Sequence, residues 1–333
     1  MSDTTDSILA VANAQQQASI PHIPTPTGTA SAAWMLGEHA DEWATIREEI
    51  LAHMMMNPRG LQKTIGPSEL GTTCLHCLAR KLTGLAKPEG DTAWLPFIGT
   101  AVHARFEHMF QDSDRYLPEY KVTVSTLQGT GTDPTATQTI TGSIDLYDTR
   151  TGATIDWKIV GDSTLDDVRR HGPSQQYRIQ ASLYGLGLLR STKYEVKRSC
   201  IYFLPRNKTD MDMGYAYETQ FDAYPGLWAL NRAQTILSLY NDIKLRYGHD
   251  TADLWANALP RDPQHCFKCR KAITNPAATD LPSLIGTADD WQAQQEQLAD
   301  RLPAMPKALL KVPQAQYQPQ PINTTTDDKE NQS

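Results

Sequence analysis

The chain has 333 residues, 40% of them hydrophobic and 21% charged, with 31 Lys+Arg against 38 Asp+Glu and a formal net charge of −7. Gly 20 and Pro 21 are ordinary counts, so collagen-like and low-complexity classes are excluded, and the apolar content suffices for one large domain or two small ones. No apolar run approaches the ~18 residues that span a bilayer, and residues 1–30 contain no Lys or Arg, unlike a secretory signal.

An acidic total counts against a nucleic-acid partner, but the charge is unevenly spread. Residues 1–60 hold 2 basic and 7 acidic side chains, and residues 287–333 hold 4 and 7, which leaves 25 basic and 24 acidic in 61–286. Within that middle, 158–208 carries 10 basic against 4 acidic. The acidity sits at the ends.

In chain order, residues 1–33 read as a disordered arm, because they offer no periodic apolar face to offset ordering entropy. Residues 34–60 form a helical lead-in, with Trp43, Ile46, Ile50 and Met54 at helical spacing over Gly37–Met56. Ser68 is the expected N-cap of a helix that carries Cys74 and Cys77 and ends near Gly84. Gly99–Phe110 is the next helix, with Val102, Phe106, Met109 and Phe110 on its buried side. Strands follow at Tyr120–Thr126, Thr139–Tyr147 and Ala153–Val160, then a helix over Ser174–Leu189, a strand over Val196–Leu204 and a long helix over Tyr224–Tyr247. Residues 287–333 read as a helical segment and a solvated tail, polar from about Gln314. The order gives an α/β fold, a central mixed sheet flanked by helices, over 61–286.

The most informative stretch is Gly142-Ser143-Ile144-Asp145 followed by Ile155-Asp156-Trp157-Lys158. Asp148, Thr149 and Gly152 supply turn chemistry between the two strands. Closure around Arg150-Thr151 places Asp145 opposite Asp156, with Lys158 on the same face and Ile144, Ile155 and Trp157 on the other. Two carboxylates across a ladder repel each other. A compensating hard divalent cation such as Mg²⁺, whose waters can attack a phosphate, suits the all-oxygen set. Lys158 then orients the water or stabilises charge on phosphorus. Upstream, His103 lies in the first turn of its helix, with Glu107 one turn on. Downstream, Gln176, Gln180 and Tyr184 form one helical stripe able to donate to phosphates, and Tyr184 to stack on a base.

Gly99-x-x-x-His103, Gly142-x-x-Asp145, Asp156-x-Lys158 and Gln180-x-x-x-Tyr184, in that order, resemble the motifs of the PD-(D/E)XK nucleases of the RecB-like branch, over about residues 65–272. Glu119, just before the first expected strand, resembles an acidic residue often seen there. The resemblance implies a restriction-endonuclease-like core and a DNA exonuclease that acts on single strands or duplex ends with Mg²⁺ or Mn²⁺. Asp145, Asp156 and His103 then hold the metal, Lys158 assists the attack, and Gln180 and Tyr184 position the strand. Arg169, Arg170, Arg178, Lys197 and Arg198 are basic residues able to track phosphates. A recombination partner protein is compatible with this reading, no membrane is expected, and the expected location is cytoplasmic, the host's if the chain is phage-encoded.

Two Cys-x-x-Cys pairs, Cys74/Cys77 and Cys266/Cys269, bracket these motifs. Four thiolates can enclose tetrahedral Zn²⁺ or hold an iron–sulfur cluster, and either clasps the two ends of the domain together. Together with the motifs, the pairs resemble the iron–sulfur subgroup of RecB-like nucleases, which includes CRISPR-associated (Cas-four type) and related phage exonucleases. That resemblance implies a 4Fe–4S cluster, held in the subgroup by one early and three late cysteines. Here two are early and two late, and zinc stands as the alternative. His76 and His265 are possible substitute ligands, and Cys200 reads as a small core residue. There is no Gly-Lys dipeptide, hence no Walker A loop. Two other readings stay open: a non-catalytic DNA-binding or recombination accessory protein with the nuclease fold, and a zinc-ribbon adaptor.

Overall fold

A computed structural model describes residues 40–55, 65–86, 94–130, 133, 135–266, 268–270 and 302–310. The expected arm at 1–33 and the tail from 314 lie outside these. The chain divides into two compact units, and helix α1 (Ala40–Met55), with Ile46 and Ile50 exposed, lies in the first. Everything that follows belongs to the second.

The helix expected to start at Ser68 is two helices, α2 (Pro67–Leu70) and α3 (Leu75–Leu82). Glu69 accepts from the Gly66 amide at the start of α2, and Cys74 is the N-cap of α3. Helix α4 (Trp94–Phe110) starts five residues before the expected Gly99. Pro96 lies in its first turn, where proline is tolerated because its missing N–H has no intrahelical partner to lose. His103 therefore lies in mid-helix, and Met109, expected to be buried, is exposed.

Five strands follow: β1 (Tyr116–Gln128), β2 (Thr137–Asp148) and β3 (Ala153–Val160), then, after helices α5 (Asp162–His171) and α6 (Gln175–Ser191), β4 (Arg198–Pro205) and β5 (Tyr215–Gln220). They form one mixed sheet in the order β1-β2-β3-β4-β5, antiparallel throughout except for the parallel β3–β4 pair. Helices α7 (Tyr224–Tyr247), α8 (His249–Ala258) and α9 (Lys307–Leu310) complete the unit. One face of the sheet buries Val122, Val124, Ile140 and Ile144 against Ile179, Leu183 and Ile236 of α6 and α7. The other packs Leu146, Trp157 and Leu204 against Phe106 and Phe110 of α4. Met305 and Leu309 belong to the first core, and the Trp228 and Trp255 indoles donate to the carbonyls of Ala308 and Pro303, so packing extends beyond residue 286.

The β2–β3 hairpin has the expected register, with Leu146 opposite Ile155 and Asp148 opposite Ala153. Asp148 fastens it. Its carboxylate takes Arg115 Nε at 2.9 Å and Nη2 at 2.7 Å, the Thr151 hydroxyl at 2.7 Å and the Arg150 amide at 3.0 Å. Gly152, at φ 66, turns the chain where a side chain would be strained. The Arg115 guanidinium holds the Asp148 carboxyl well below the usual carboxylate range. A depressed carboxyl stabilises the fold above its unfolded pKa of about 4 and loses that contribution as pH falls through the folded value. Asp148→Asn should therefore melt below wild type at pH 7, and the gap should narrow as pH drops below about 4. Thermal melts across pH check this, and a gap independent of pH would sink the ion-pair account.

Candidate functional site

The β1–β2 ladder skips one rung. Pro118 pairs with Leu146 and Tyr120 with Ile144, but Glu119 and Asp145, which the register would oppose, do not pair. Glu119 sits at φ 44, and no other described non-glycine residue has a positive φ. Both strands roll at this rung. Ile144 joins the α6–α7 core and Leu146 the α4 core, although residues two apart on a regular strand share a face. The expectation that Ile144 shares a face with Ile155 and Trp157 is corrected for that reason.

The roll turns both acids toward α4, where His103 meets them. His103 Nδ1 lies 3.2 Å from Asp145 Oδ1 and 3.9 Å from Glu119 Oε1. This buried nitrogen is not aligned as a hydrogen bond to either. One nitrogen and two carboxylate oxygens thus face a common point, all within 4.8 Å of one another. Asp145 Oδ2 is used differently: it accepts the Trp157 amide at 2.7 Å, where β3 has left the β2 ladder. Burial works against a charged His103, but the carboxylates of Asp145 and then Glu119 outweigh it and push the imidazole up to about 9.

Asp156 lies outside that group of three. Its carboxylate is bonded to Gln180 Nε2 at 3.0 Å and to Lys158 Nζ at 2.7 Å, and Gln180 Oε1 accepts a second N–H of Lys158 at 3.1 Å. Burial, with the Asp145 charge nearby, pushes Asp156 up to about 6 against the pull of Lys158. Burial also disfavours the Lys158 ammonium, yet Asp156 more than compensates and its pKa is raised. Lys158 is therefore a fixed cation, 5.2 Å from the Tyr177 ring centre.

Gln180 and Tyr184 do not offer themselves to a strand. They are 6% and 8% exposed, and Gln180 Nε2 bonds the Tyr184 hydroxyl at 3.0 Å. A Cβ on Gly142 would come within 2.7 Å of the Tyr184 ring, so that glycine lets α6 close on β2. These residues position Asp156 and Lys158. Arg178 is exposed on α6. Arg169 instead binds the carbonyl of Met213, and Arg170 binds that of Asp166 on its own helix. Lys197 and Arg198 pair with Glu195 and Glu218 at the other end of β3–β4, five positions down the ladder from Lys158. Glu107 is exposed and outside the site. Glu119 is the residue the sequence only hinted at: it lies within β1, and its role comes from a backbone kink that local composition does not signal.

The four cysteines form a second cluster. Sγ–Sγ distances are 3.5 Å for Cys74–Cys269 and 3.6 Å for both Cys77–Cys266 and Cys77–Cys269, and all four sulfurs lie within 4.8 Å of one another. These are no disulfides, whose S–S bond is about 2.05 Å. Four sulfurs around one tetrahedral zinc stand about 3.8 Å apart, from Zn–S bonds near 2.3 Å. Around a 4Fe–4S cube they stand roughly 6 Å apart, because each caps a different iron. The donor set fits a single ion and does not fit the cube. His76 Nδ1 meets the Asn257 carbonyl at 2.8 Å and His265 pairs with Asp262, so neither joins the cluster. Cys200 is only half-buried, 3.4 Å from Glu218.

No protein-family model matches the sequence, and no curated protein matches it. Among solved structures, the chain is similar to the protein SSO0001, with 16% identity and a TM-score of 0.39 over 71% of this chain and 98% of that one. It is also similar to an alkaline exonuclease, LHK-Exo, from Laribacter hongkongensis, with 13% identity and a TM-score of 0.39 over 62% and 98% of the two chains. LHK-Exo in complex with dAMP gives 14% and 0.36 over 62% and 99%. Likeness at TM-scores below 0.5 establishes neither family nor activity.

A positive φ on a non-glycine residue costs about 1–3 kcal/mol. Glu119→Gly removes that strain and one candidate ligand together. The variant should be as stable as wild type without metal, or more stable by up to about 1 kcal/mol, while Mn²⁺ binding weakens at least about tenfold. Thermal melts and calorimetric titration check it. Undiminished Mn²⁺ affinity would remove Glu119 from the ligand set.

Proposed function

We propose that this chain is a metal-dependent deoxyribonuclease, an exonuclease acting on DNA ends. The observation that carries the reading is the His103–Glu119–Asp145 donor set beside the Asp156–Lys158 ion pair. Imidazole with carboxylates suits Mg²⁺ or Mn²⁺, and the orphaned His103 nitrogen is the kind of atom such an ion satisfies. Bound there, the ion would polarise a phosphate oxygen and make a coordinated water a stronger nucleophile.

The protein's own part follows from the hydrogen bonds. Asp156 and Gln180 each take one N–H of Lys158, which leaves a third for a phosphate oxygen or the attacking water. Because Asp156 keeps Lys158 charged, the lysine serves as an electrostatic clamp and not as a proton acceptor. Asp145, fixed through the Trp157 amide, keeps its other oxygen directed toward His103. Tyr184 and Gly142 act at one remove, by seating Gln180. Arg178, exposed on the same helix, is the basic residue best placed to meet the DNA backbone.

The test incubates the full chain with Mn²⁺ or Mg²⁺ and with end-labelled single-stranded, duplex and covalently closed circular DNA. Wild type should release nucleotides from the linear forms and leave the circle intact. Lys158→Ala should lose about 100-fold or more in rate while still binding Mn²⁺. Cutting of the circle would make the chain an endonuclease. If DNA is bound but no nucleotide is released with either metal, the enzymatic reading fails and the accessory-protein reading replaces it.

A further inference from the structure

We infer that the four cysteines hold one tetrahedral zinc ion in place of an iron–sulfur cube, as a tetrathiolate whose negative charge answers the buried Arg232. The spacing of the sulfurs is the first observation. Every pair lies within 4.8 Å, where a single ion needs about 3.8 Å and a cube roughly 6 Å. Cys74 is fully buried and Cys269 nearly so, and the sulfurs pack against one another, so the cluster has no interior in which inorganic sulfide could sit.

The second observation is charge. Arg232 is fully buried, with its guanidinium 4.6 Å over the Trp228 ring. Its hydrogen bonds go to the carbonyls of Leu70 and Thr72, its Nε has no partner, and no carboxylate pairs with it among the described residues. A buried guanidinium without a counter-anion is costly. The carbonyls Arg232 binds lie four and two residues before Cys74, whose thiolate would be its counter-anion. Four neutral thiols would leave Arg232 without a counter-charge among the described residues. One Zn²⁺ with four thiolates carries a formal charge of −2, which supplies that counter-charge. The Cys77 amide points at Cys74 Sγ at 3.5 Å, the arrangement an anionic sulfur favours.

The inference is independent of the nuclease reading, since metal content can be measured on a chain that cuts nothing. Wild type, washed with EDTA to empty the His103–Glu119–Asp145 site, should retain one zinc per chain. It should contain no acid-labile sulfide and show no absorption band near about 400 nm. Its cysteine pairs should resist alkylation until the metal is stripped, and Co²⁺ exchanged into the site should give the ligand-field spectrum of a tetrahedral tetrathiolate. Sulfide with a brown chromophore would overturn the inference in favour of the cube. Failure to retain zinc after reconstitution under reducing conditions would overturn it in favour of a metal-free cluster. Arg232→Lys should keep zinc, whereas Arg232→Met, checked for folding by circular dichroism, should release it to a chelator about tenfold faster or more. Equal release rates in a folded Met variant would refute the charge-matching role.

Discussion

The backbone of Glu119, held at φ 44, removes one rung from the β1–β2 ladder, and the candidate site is arranged around that gap. On a regular antiparallel pair, Glu119 and Asp145 would be opposed carboxylates, and their strands would keep a fixed face toward each helical layer. The missing rung lets both strands roll. Tyr120 and Leu117, at odd spacing, both reach the α6–α7 core, as Ile144 and Tyr147 do on β2. The strain of about 1–3 kcal/mol at one residue is thus distributed into two well-filled cores. Its local product is a pair of acids facing a histidine. Trp157 shows how the backbone is satisfied at the same place: its amide, which finds no partner on β2, is taken by the Asp145 side chain.

A second layer of constraint comes from α6. Asp156, Lys158, Gln180 and Tyr184 form a buried polar chain whose members hold one another, and such a network is stable only when its groups are satisfied. Tyr184 reaches its place because Gly142 has no side chain, so a glycine on β2 and a tyrosine on α6 form one steric arrangement. The cysteine clasp acts on the chain at larger scale. It joins sulfurs 189 to 195 residues apart and ties the helix before the sheet to the segment after α8. Closing so long a loop in advance lowers the conformational entropy of the unfolded chain.

What the sequence disclosed, and what it hid, divides along the line between local and non-local causes. The β2–β3 hairpin was legible because Asp148, Thr149 and Gly152 set the turn and hence the register, and the paired Cys-x-x-Cys spacing carries its own meaning. The stripe of Gln180 and Tyr184 was legible as one helical face, but which way that face points depends on β2 packing against it. The kink at Glu119 depends on two strands at once and leaves no trace in composition. Helix α5, DSTLDDVRRH, buries only Leu165 and Val168, and β5 is a six-residue strand with a single buried position. Neither has enough apolar periodicity to be seen without its neighbours.

Charge shows the same division. The surplus of basic residues in 158–208 invited a picture of one groove tracking phosphates, but most of those residues are already engaged. Lys158 is bonded to Asp156, Lys197 to Glu195, Arg198 to Glu218 and Lys208 to Asp162. Arg170 and Arg190 bond backbone carbonyls, and Arg178, Lys193 and Arg206 are the basic members of that stretch with neither an ion pair nor a side-chain hydrogen bond among the described residues. Linear charge density is therefore a poor map of surface potential here, since an ion pair cancels to a short-range dipole within about a Debye length of 8 Å. On the nuclease reading proposed above, attraction of a polyanion comes less from a basic surface than from the site itself. There His103 and Lys158 set two positive centres against Glu119, Asp145 and Asp156, and a divalent ion replacing the His103 proton would raise the local charge by one.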